Sequence, residues 1–523
     1  MPDINQILVY FSPELILTVG ILLVLLYDLA VRGRDGLQAY LAGGALVAAI
    51  MATLWLYGQP GVVGGIFETR NAAGDVIRAG AFLSDTFTNF FRLIGLLTTL
   101  LVMISGHEFM RRRTPYKGEF YALLLCAALA MNLMAGANDL IVIFLAVEFL
   151  SITSYILTAF LRGDPLSSEG GLKYFLYGSI TSAAMLFGFS LLYGAAATTS
   201  LPAIAKVVAD PSSVMVDHLG ALVLPALVLI LAGVGFKIAL VPFHQWSPDA
   251  YQGAPTPVTA FLSVGPKAAG FAVLVRVLMS VYNTPELAPS WLGLLAGISL
   301  ITMFLGNIVA LSQTNVKRMM AYSSIAQAGY MLIGLVSIGQ GHLAGVDPLG
   351  SVLLYILAYL FTNLGLFAVI IAVDHATGSS EISAFAGLMQ RAPFLGAAMF
   401  VFFLSLVGIP PLAGFIGKFA VFGAAVAAGQ GALAVAGVLT GVISVGYYFK
   451  VVREVFLVPA EEGAKPIHVA PSLQFVVVVA LVMTFAVGLF AGPFFTLTQD
   501  AASGLAGAGA AQAAGQDAQL KAP

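Results

Sequence analysis

Two lysines lie next to helix-breaking residues inside long apolar stretches. Lys237 belongs to the stretch GVGFKIALVPFHQW at 233–246 and precedes Pro242 by five residues. Lys418 closes the stretch GIPPLAGFIGK at 408–418. Proline removes a backbone donor and crowds the preceding turn, so a helix at either place should be kinked or interrupted. An ionisable group beside broken backbone in a membrane segment is costly and indicates a functional role.

Two further ionisable groups, Glu148 and Lys267, are predicted at mid-membrane. Each lies about ten residues into an apolar run, or roughly 15 Å along a helix. A carboxylate at that depth would be neutral or paired with a cation, and Lys237 is its natural partner. Such a pair can be poised so that the movement of one proton changes its preferred state. The alternatives are a structural contact between helices for Glu148 and a snorkelling side chain for Lys237.

Two more candidates lie nearer the membrane surface. His244 can titrate near neutral pH, although an interfacial histidine beside Trp246 would look the same. Lys173 begins the sixth apolar run, where an orientation signal explains it as well as a supporting role does. Lys317 and Arg318 are interpreted mainly as orientation signals.

The mid-membrane groups Glu148, Lys237, Lys267 and Lys418 together suggest the class of transported species. Lysines that face one another repel, and this repulsion tunes the proton affinity of each. A carrier of bulky solutes would need a cavity with specific side chains, which the sequence does not indicate. A line of titratable groups favours protons, or Na⁺, as the transported species.

The composition predicts a polytopic membrane protein without its own redox centre. Of 523 residues, 59% are hydrophobic and 9% charged, with a mean hydropathy of +0.96, whereas a soluble domain carries roughly 25% charged residues. The formal net charge of −2 gives no sign of a nucleic-acid partner. The single Cys126 allows neither an internal disulfide nor an iron–sulfur cluster. No Walker A pattern and no buried histidine pair for haem are found. We therefore expect no cofactor or metal in this chain.

The apolar runs indicate fourteen membrane spans, each near the 20 residues that cross a bilayer. Lysine and arginine concentrate in the odd-numbered loops, as in Arg32 and Arg34 after the first span and Arg111–Arg113 after the third. The positive-inside rule then places these loops in the cytoplasm and both termini outside. The N-terminus lacks a basic region, so the first span is interpreted as an anchor. The predicted spans are 8–28, 38–57, 83–106, 119–136, 139–161, 171–195, 219–245, 257–281, 290–311, 318–338, 350–373, 394–426, 430–456 and 472–496.

The order of the spans predicts two inverted repeats. Residues 117–281 and 290–456 each hold five spans, and the fourth span of each set carries a break and a lysine. Because five is an odd number, the two sets must run in opposite directions through the membrane. Residues 1–116 form an N-terminal three-helix region with a long outer loop. Residues 457–523 form a final helix and a low-complexity tail that we expect to be disordered.

Four stretches together resemble the antiporter-like subunits of respiratory complex I. The second and fourth of these stretches are specific: 235–257, which extends the Lys237 motif through HQWSPDAYQGAPTP, and 408–418, which contains the second break. Those at 147–151 and 317–330 support them. The resemblance covers roughly residues 5–495. The overall resemblance favours the N-type subunit; the absence of a long C-terminal lateral helix argues for N or M over L.

The resemblance implies fourteen helices with helices 7 and 12 broken, and a place in the bacterial plasma membrane. It also implies other membrane-arm subunits as partners and a peripheral NADH-oxidising arm that carries FMN and iron–sulfur clusters, with quinone bound elsewhere in the complex. The residues that match the family's functional positions are Glu148, Lys173, Lys237, His244, Lys267 and Lys418.

Our hypothesis is therefore a proton-translocating subunit of a proton-pumping NADH:quinone oxidoreductase, driven by quinone reduction in another subunit. The enzyme activity belongs to the complex and not to this chain. One rival is a subunit of an Mrp-type cation/proton antiporter, which would use the same buried charges without a redox partner. The other is a membrane scaffold in which the charges merely pair.

Overall fold

The chain is an all-α protein built from helices that cross a membrane. The computed structural model describes residues 4–31, 36–59, 64–66, 69–70, 76–78, 80–210, 222–338, 347–460 and 463–520. Arg32 and Arg34 lie outside the described residues. Twelve helices in the described part are long and apolar enough to span a bilayer. They are α2 (Ser12–Val31), α3 (Leu37–Tyr57), α4 (Thr86–Arg113), α5 (Lys117–Gly136), α6 (Leu140–Thr158), α7 (Pro165–Ala196), α11 (Thr256–Val277, continued by a π turn Leu278–Tyr282), α12 (Ala288–Leu311), α13 (Val316–Val336), α14 (Pro348–Thr377), α18 (Gly431–Phe456) and α19 (Pro471–Leu489).

The remaining helices complete the chain. Some of them form two interrupted segments, described next, and the others lie at the ends of the bundle. These remaining helices are α1 (Ile4–Tyr10), α8 (Leu201–Ala209), α9 (Leu224–Ile238), α10 (Trp246–Gly253), α15 (Leu388–Arg391), α16 (Pro393–Val407), α17 (Ala413–Ala427) and α20 (Ala491–Leu520), together with a 3-10 turn at Ile382–Phe385.

Helices 7 and 12 of the predicted spans are broken, as expected from their prolines. The seventh consists of α9, a turn over 239–245 and α10; the twelfth consists of α16, a turn over 408–412 and α17. The first half-helix of each pair ends at a residue in the left-handed region, Ala239 with φ 64° and Gly408 with φ 96°. Each turn also contains a cis peptide bond before a proline. With the twelve unbroken helices, these two segments give the fourteen spans predicted.

Three helices form the centre of the bundle. The apolar windows of α11 and α14 are buried on every side, and that of α13 is 94% buried. A helix enclosed by other helices can carry polar side chains at low cost because their partners are protein groups. The outer helices instead expose apolar residues, as α2 does with Leu22, Leu26 and Leu29. The polar groups of the centre are therefore separated from lipid by a ring of apolar helices.

Two buried ion pairs fix the start of α4. The guanidinium of Arg92 donates to both carboxylate oxygens of Glu14 at 2.9 and 2.8 Å, and both side chains are fully buried. Arg276 on α11 pairs with Asp85, the N-cap residue of α4, at 3.1 Å, and both are 1% exposed. Neither pair is apparent from the sequence alone. They tie α2 and α11 to the same end of α4.

The structure differs from the sequence-based expectation at two places. The outer loop contains short antiparallel strands: β1 (Gly64–Ile66) pairs with β4 (Phe82–Ser84), and β2 (Thr69–Arg70) pairs with β3 (Val76–Arg78). The tail expected to be disordered instead continues helix α20 through Leu520. Alanine, the commonest residue of that tail, is the best helix former.

Candidate functional site

Lys237 lies in the last turn of α9, directly before the first break. Its side chain is 1% exposed, so it does not snorkel to the surface. The Nζ atom lies 5.8 Å from the centre of the Tyr174 ring and has no hydrogen-bond partner among the described residues. Trp246, from the second half of the broken segment, stacks on Tyr174 at 4.0 Å and donates to the Phe236 carbonyl at 2.9 Å. The break thus places an aromatic wall against the buried ammonium group.

Glu148 on α6 does not pair directly with Lys237, which corrects the expected contact. In the described part of the chain no ion pair joins the two, and the Glu148 carboxylate instead accepts a hydrogen bond from Ser182 on α7. The two charges still interact electrostatically across the space between α6 and α9. Ser182 takes the place of the expected partner, and it lies on α7, which packs against both α6 and α9. The side chain of Glu148 is half-buried.

Lys267 lies in the middle of α11, surrounded by protein. It is 5% exposed, and its Nζ atom is buried without a hydrogen-bond partner in the region described. The ring of Tyr251 lies 6.0 Å away. A small cavity of about 10 Å³ next to it is also lined by Ser324, Gln327 and Tyr359. That volume is close to the minimum for one water molecule, which would supply the partner that the ammonium group lacks.

Lys418 lies on α17, six residues after the end of the second break. It is 6% exposed, and its Nζ atom donates a 2.9 Å hydrogen bond to the carbonyl of Val407, the last residue of α16. The ring of Tyr330 lies 4.6 Å from Nζ. An apolar groove of about 880 Å³ between α17 and α18 reaches the same lysine. The ammonium group is therefore held between the broken backbone and an aromatic face.

Polar side chains connect the surroundings of Lys267 to those of Lys418. Ser324 on α13 contacts the hydroxyls of Tyr251, at 3.4 Å, and Tyr359, at 3.0 Å. One turn further, Gln327 accepts a hydrogen bond from Tyr355. The next turn carries Tyr330, the residue under the Lys418 ammonium group. This row was not predicted from the sequence, although 324, 327 and 330 recur at helical spacing on a helix of modest hydropathy.

The remaining predicted residues lie at the end of the bundle that carries Arg111–Arg113. Lys173 is 40% exposed and pairs with Glu169 at 2.6 Å and with Asp249 at 2.8 Å. Arg318 binds the same aspartate. Burial alone would raise the pKa of Asp249, but hydrogen bonds from Lys173 and Arg318 outweigh it and hold that pKa below its ordinary value. Lys173 is thus joined to a surface ion cluster and not to the mid-membrane row.

His244 lies in the turn between α9 and α10. Its ring is half-buried, and Nδ1 is buried with no hydrogen-bond partner among the described residues. Trp246, which was expected beside it at the interface, is 1% exposed. His244 therefore lies between the buried Lys237 and the surface cluster around Asp249.

The arrangement can exchange protons but offers no set of metal ligands. In the described ranges no three His, Cys, Asp or Glu side chains converge on one point. Three buried amines and one half-buried carboxylate lie inside the helix bundle, next to hydroxyl, phenol or amide groups. Such groups take up and release protons, and intervening polar side chains and water can carry them.

Comparison with known proteins identifies the family. A family model described as "NADH:quinone oxidoreductase/Mrp antiporter, TM" matches residues 137–444. The chain is 41% identical over 445 residues to NADH-quinone oxidoreductase subunit N of Moorella thermoacetica, which covers 85% of this chain and 90% of that protein.

Solved structures show the same likeness. A chain of respiratory complex I from Thermus thermophilus with bound aureothin is 32% identical, with a TM-score of 0.75 and coverage of 92% of this chain and 98% of that one. A chain of the Mrp complex from Dietzia sp. DQ12-45-1b shares the fold at 23% identity, with a TM-score of 0.79 and coverage of 95% and 97%. The chain therefore belongs to the NADH:quinone oxidoreductase/Mrp antiporter family, whose members include the relatives named NADH-quinone oxidoreductase subunit N.

Proposed function

We propose that this chain is a proton-translocating membrane subunit of a proton-pumping NADH:quinone oxidoreductase. The observation that carries the proposal is the row of buried lysines, Lys237, Lys267 and Lys418, two of which lie beside broken helices. Buried amines are expensive to maintain in a membrane protein, and a proton path explains why they are placed at mid-membrane. The 41% identity to a subunit N supports the oxidoreductase over other assemblies with this fold.

Each candidate residue has a proposed role. The charges of Glu148 and Lys237 influence each other's proton occupancy at a distance, without a direct bond between the two groups. Lys267 receives the proton in the centre, and the polar row on α13 carries it toward Lys418. His244 and Lys173 act in support at the surface end of the first break. Energy for these steps comes from quinone reduction in another subunit.

The proposed assembly supplies what this chain lacks. Other antiporter-like and small membrane subunits are its neighbours, and an NADH-oxidising peripheral arm carries FMN and iron–sulfur clusters. Residues 117–281 and 290–456 are the two inverted repeats, after an N-terminal region 1–116 and before a C-terminal region 457–523. The chain lies in a bacterial plasma membrane with both termini outside.

A second candidate is a subunit of an Mrp-type cation/proton antiporter. The likeness in fold to the Mrp complex chain favours it, since the TM-score of 0.79 is as high as that to complex I. A membrane scaffold is the third reading. It explains the buried ion pairs of α4, but it gives no reason for two buried lysines whose Nζ atoms have no hydrogen-bond partner in the described region.

Purification of the chain from its native membrane tests the proposal. A tagged chain would be isolated in mild detergent, its partners identified by mass spectrometry, and the preparation assayed for NADH:quinone activity. Co-purification with an NADH-oxidising arm is expected. Isolation with antiporter subunits alone, without NADH activity, would exclude the oxidoreductase and leave the antiporter. A scaffold would be indicated if Lys267→Met and Lys418→Met left proton pumping by the assembled complex intact.

A further inference from the structure

The ammonium group of Lys418 is surrounded by neutral groups in the described part of the chain. Its Nζ atom donates one 2.9 Å hydrogen bond to the Val407 carbonyl and lies 4.6 Å from the centre of the Tyr330 ring. No described carboxylate interacts with it, whereas Lys237 interacts electrostatically with Glu148. A cation is attracted to the negative face of an aromatic ring, and most strongly where water is excluded. The ring of Tyr330 therefore takes the place of a counter-ion.

The hydroxyl end of the same tyrosine is held by Asn307 on α12. Asn307 is fully buried, and its Nδ2 atom donates hydrogen bonds to the Tyr330 hydroxyl at 2.9 Å and to the Met303 carbonyl at 2.8 Å. Its Oδ1 atom accepts a hydrogen bond from the hydroxyl of Tyr447 on α18 at 3.1 Å. Both amide hydrogens and the amide oxygen thus have partners. The side chain of Asn307 is fixed in one orientation, and it fixes the tyrosine hydroxyl in turn.

Two glycines let α12 and α13 approach closely enough for this contact. A Cβ atom at Gly306 would lie 2.7 Å from a backbone nitrogen of α13, and one at Gly329 would lie 2.7 Å from a side chain of α12. Each glycine directly precedes one member of the pair, Asn307 or Tyr330. The helix crossing therefore determines which side chain meets the hydroxyl of Tyr330.

The helix that carries Lys418 also contacts the ring of Tyr330. Phe422 follows Lys418 by one turn on α17, and its ring centre lies 6.2 Å from that of Tyr330 at an interplanar angle of 77°. Near-perpendicular aromatic pairs of this kind are favourable. The ring of Tyr330 is therefore supported from two helices, by Asn307 on α12 and by Phe422 on α17.

We propose that Tyr330 holds the ammonium group of Lys418 through the face of its ring, and that Asn307 is the positioning residue that keeps this ring in place. The hydroxyl of Tyr330 is the anchor of the ring, and the π face is the part that acts on Lys418. When Lys418 releases its proton, the amine becomes neutral and its attraction to the ring is lost. No covalent bond other than that to the proton changes. The inference rests on the proposed function.

A fluorine series at position 330 tests the role of the ring. Phenylalanine and its monofluoro, difluoro and trifluoro analogues would be introduced there by codon suppression in the assembled complex. Fluorine changes the shape of the ring little but weakens its negative face step by step. NADH-driven proton uptake into inverted vesicles, per amount of assembled complex, should fall with each added fluorine. Equal uptake across the series would overturn the role of the ring.

Phe120 on α5 offers the matched control for this series. It is fully buried and packs against the rings of Tyr121 and Phe160, and no cation lies over its ring in the described part of the chain. The same analogues at position 120 should leave proton uptake unchanged. A stepwise decrease at both positions would mean that fluorine acts through packing, and this result would also overturn the proposal.

Asn307→Leu tests the positioning role. It removes one end of the hydrogen bond to Tyr330, and Tyr330→Phe removes the other end. Both should decrease proton uptake by a similar factor, the double variant should lose no more, and Tyr330→Leu should lose most of the uptake because the ring is gone. Tyr282→Phe, which removes a 3.2 Å hydrogen bond to the Val223 carbonyl after the end of α11, is the control.

The outcomes separate this inference from the proposed function. Multiplied losses in the double variant of Asn307 and Tyr330 would overturn the positioning role. A loss of proton uptake in Lys418→Met, together with a normal Tyr330→Leu variant, would overturn this inference alone. Normal proton uptake in Lys418→Met would contradict the proposed function itself.

Discussion

The Nζ atom of Lys418 and the carbonyl oxygen of Val407 are joined by a 2.9 Å hydrogen bond across the second helix break. Val407 ends α16, and its carbonyl is among those that a helix end leaves without an internal partner. A charged donor makes a stronger bond than a neutral one. The protonation state of Lys418 is therefore linked to how firmly the two half-helices are held together.

Replacement of Lys418 by methionine should abolish most proton pumping. Loss of a group that transfers protons typically slows a reaction by about 100-fold or more. For proton pumping by the assembled complex, we expect a decrease of at least roughly tenfold. Lys450→Met is the control, since Lys450 donates a similar 2.8 Å hydrogen bond to the Gln313 carbonyl near the helix end. The measurement is NADH-driven proton uptake by inverted vesicles. Equal losses of pumping in Lys418→Met and Lys450→Met would mean that pumping depends on the hydrogen bond to the carbonyl group and not on a proton carried by Lys418.

The effects of Glu148→Gln and Lys237→Met on proton pumping should not be additive. If both groups serve one path, either single change should decrease pumping strongly. The double variant should then pump about as fast as the slower of the two single variants. The comparison of single and double variants is informative because Glu148 and Lys237 form no direct ion pair, so neither substitution removes a hydrogen bond of the other residue. Multiplied losses in the double variant would show two independent roles.

The buried pair of Arg92 and Glu14 should dominate the stability of the N-terminal helices. Arg92→Met leaves a buried carboxylate without its cation, which typically costs about 3–5 kcal/mol. The double change Arg92→Met with Glu14→Leu should recover much of the loss, because it removes the unpaired charge. Thermal aggregation midpoints in detergent measure both. A double variant as unstable as Arg92→Met would contradict this explanation.

Gly414→Ala should separate the two halves of the twelfth span. A Cβ atom at Gly414 would lie 1.8 Å from the Ser405 carbonyl oxygen, so the half-helices must move apart. Such overpacking usually costs about 1–3 kcal/mol. Gly423→Ala, on the same helix but facing open space, is the control. An unchanged thermal midpoint for Gly414→Ala would show that the two half-helices can move apart at the break without a loss of stability.

Asp249 should make the stability of the surface cluster dependent on pH. Its folded-state pKa lies below the ordinary value of 3.8, so its ionised form stabilises the fold above that value. The stabilisation is lost as pH falls through the folded-state pKa. The difference in thermal midpoint between the wild-type protein and Asp249→Asn should therefore be present at pH 7 and disappear in acid. A difference independent of pH would exclude this explanation.

The sequence predicts the broken helices because their cause is local. Proline and glycine at 408–411 interrupt a helix whatever surrounds it, and the same holds at Pro242. The burial of Lys267 was also predictable from its depth in an apolar run. In each case the information lies within one turn or one span.

Contacts between distant helices could not be predicted in the same way. Asn363 and Ser263 are 100 residues apart, and their contact depends on which faces of α11 and α14 meet. Ser182 was missed as the partner of Glu148 for the same reason. In the sequence, Arg276 and Asp85 each look like a charge at a helix end. Their pairing becomes apparent only when α4 and α11 pack against each other.

The complete enclosure of α14 has a consequence for how the chain is made. Four of the helices that surround it, α16, α17, α19 and α20, follow it in the chain. During synthesis one side of α14 therefore remains in contact with lipid until the C-terminal helices have entered the bilayer. Its hydrophobicity, a mean hydropathy of 2.3, suits that interval. A chain that stops before residue 471 would lack α19 and α20, so the side of α14 that they cover would stay exposed to lipid.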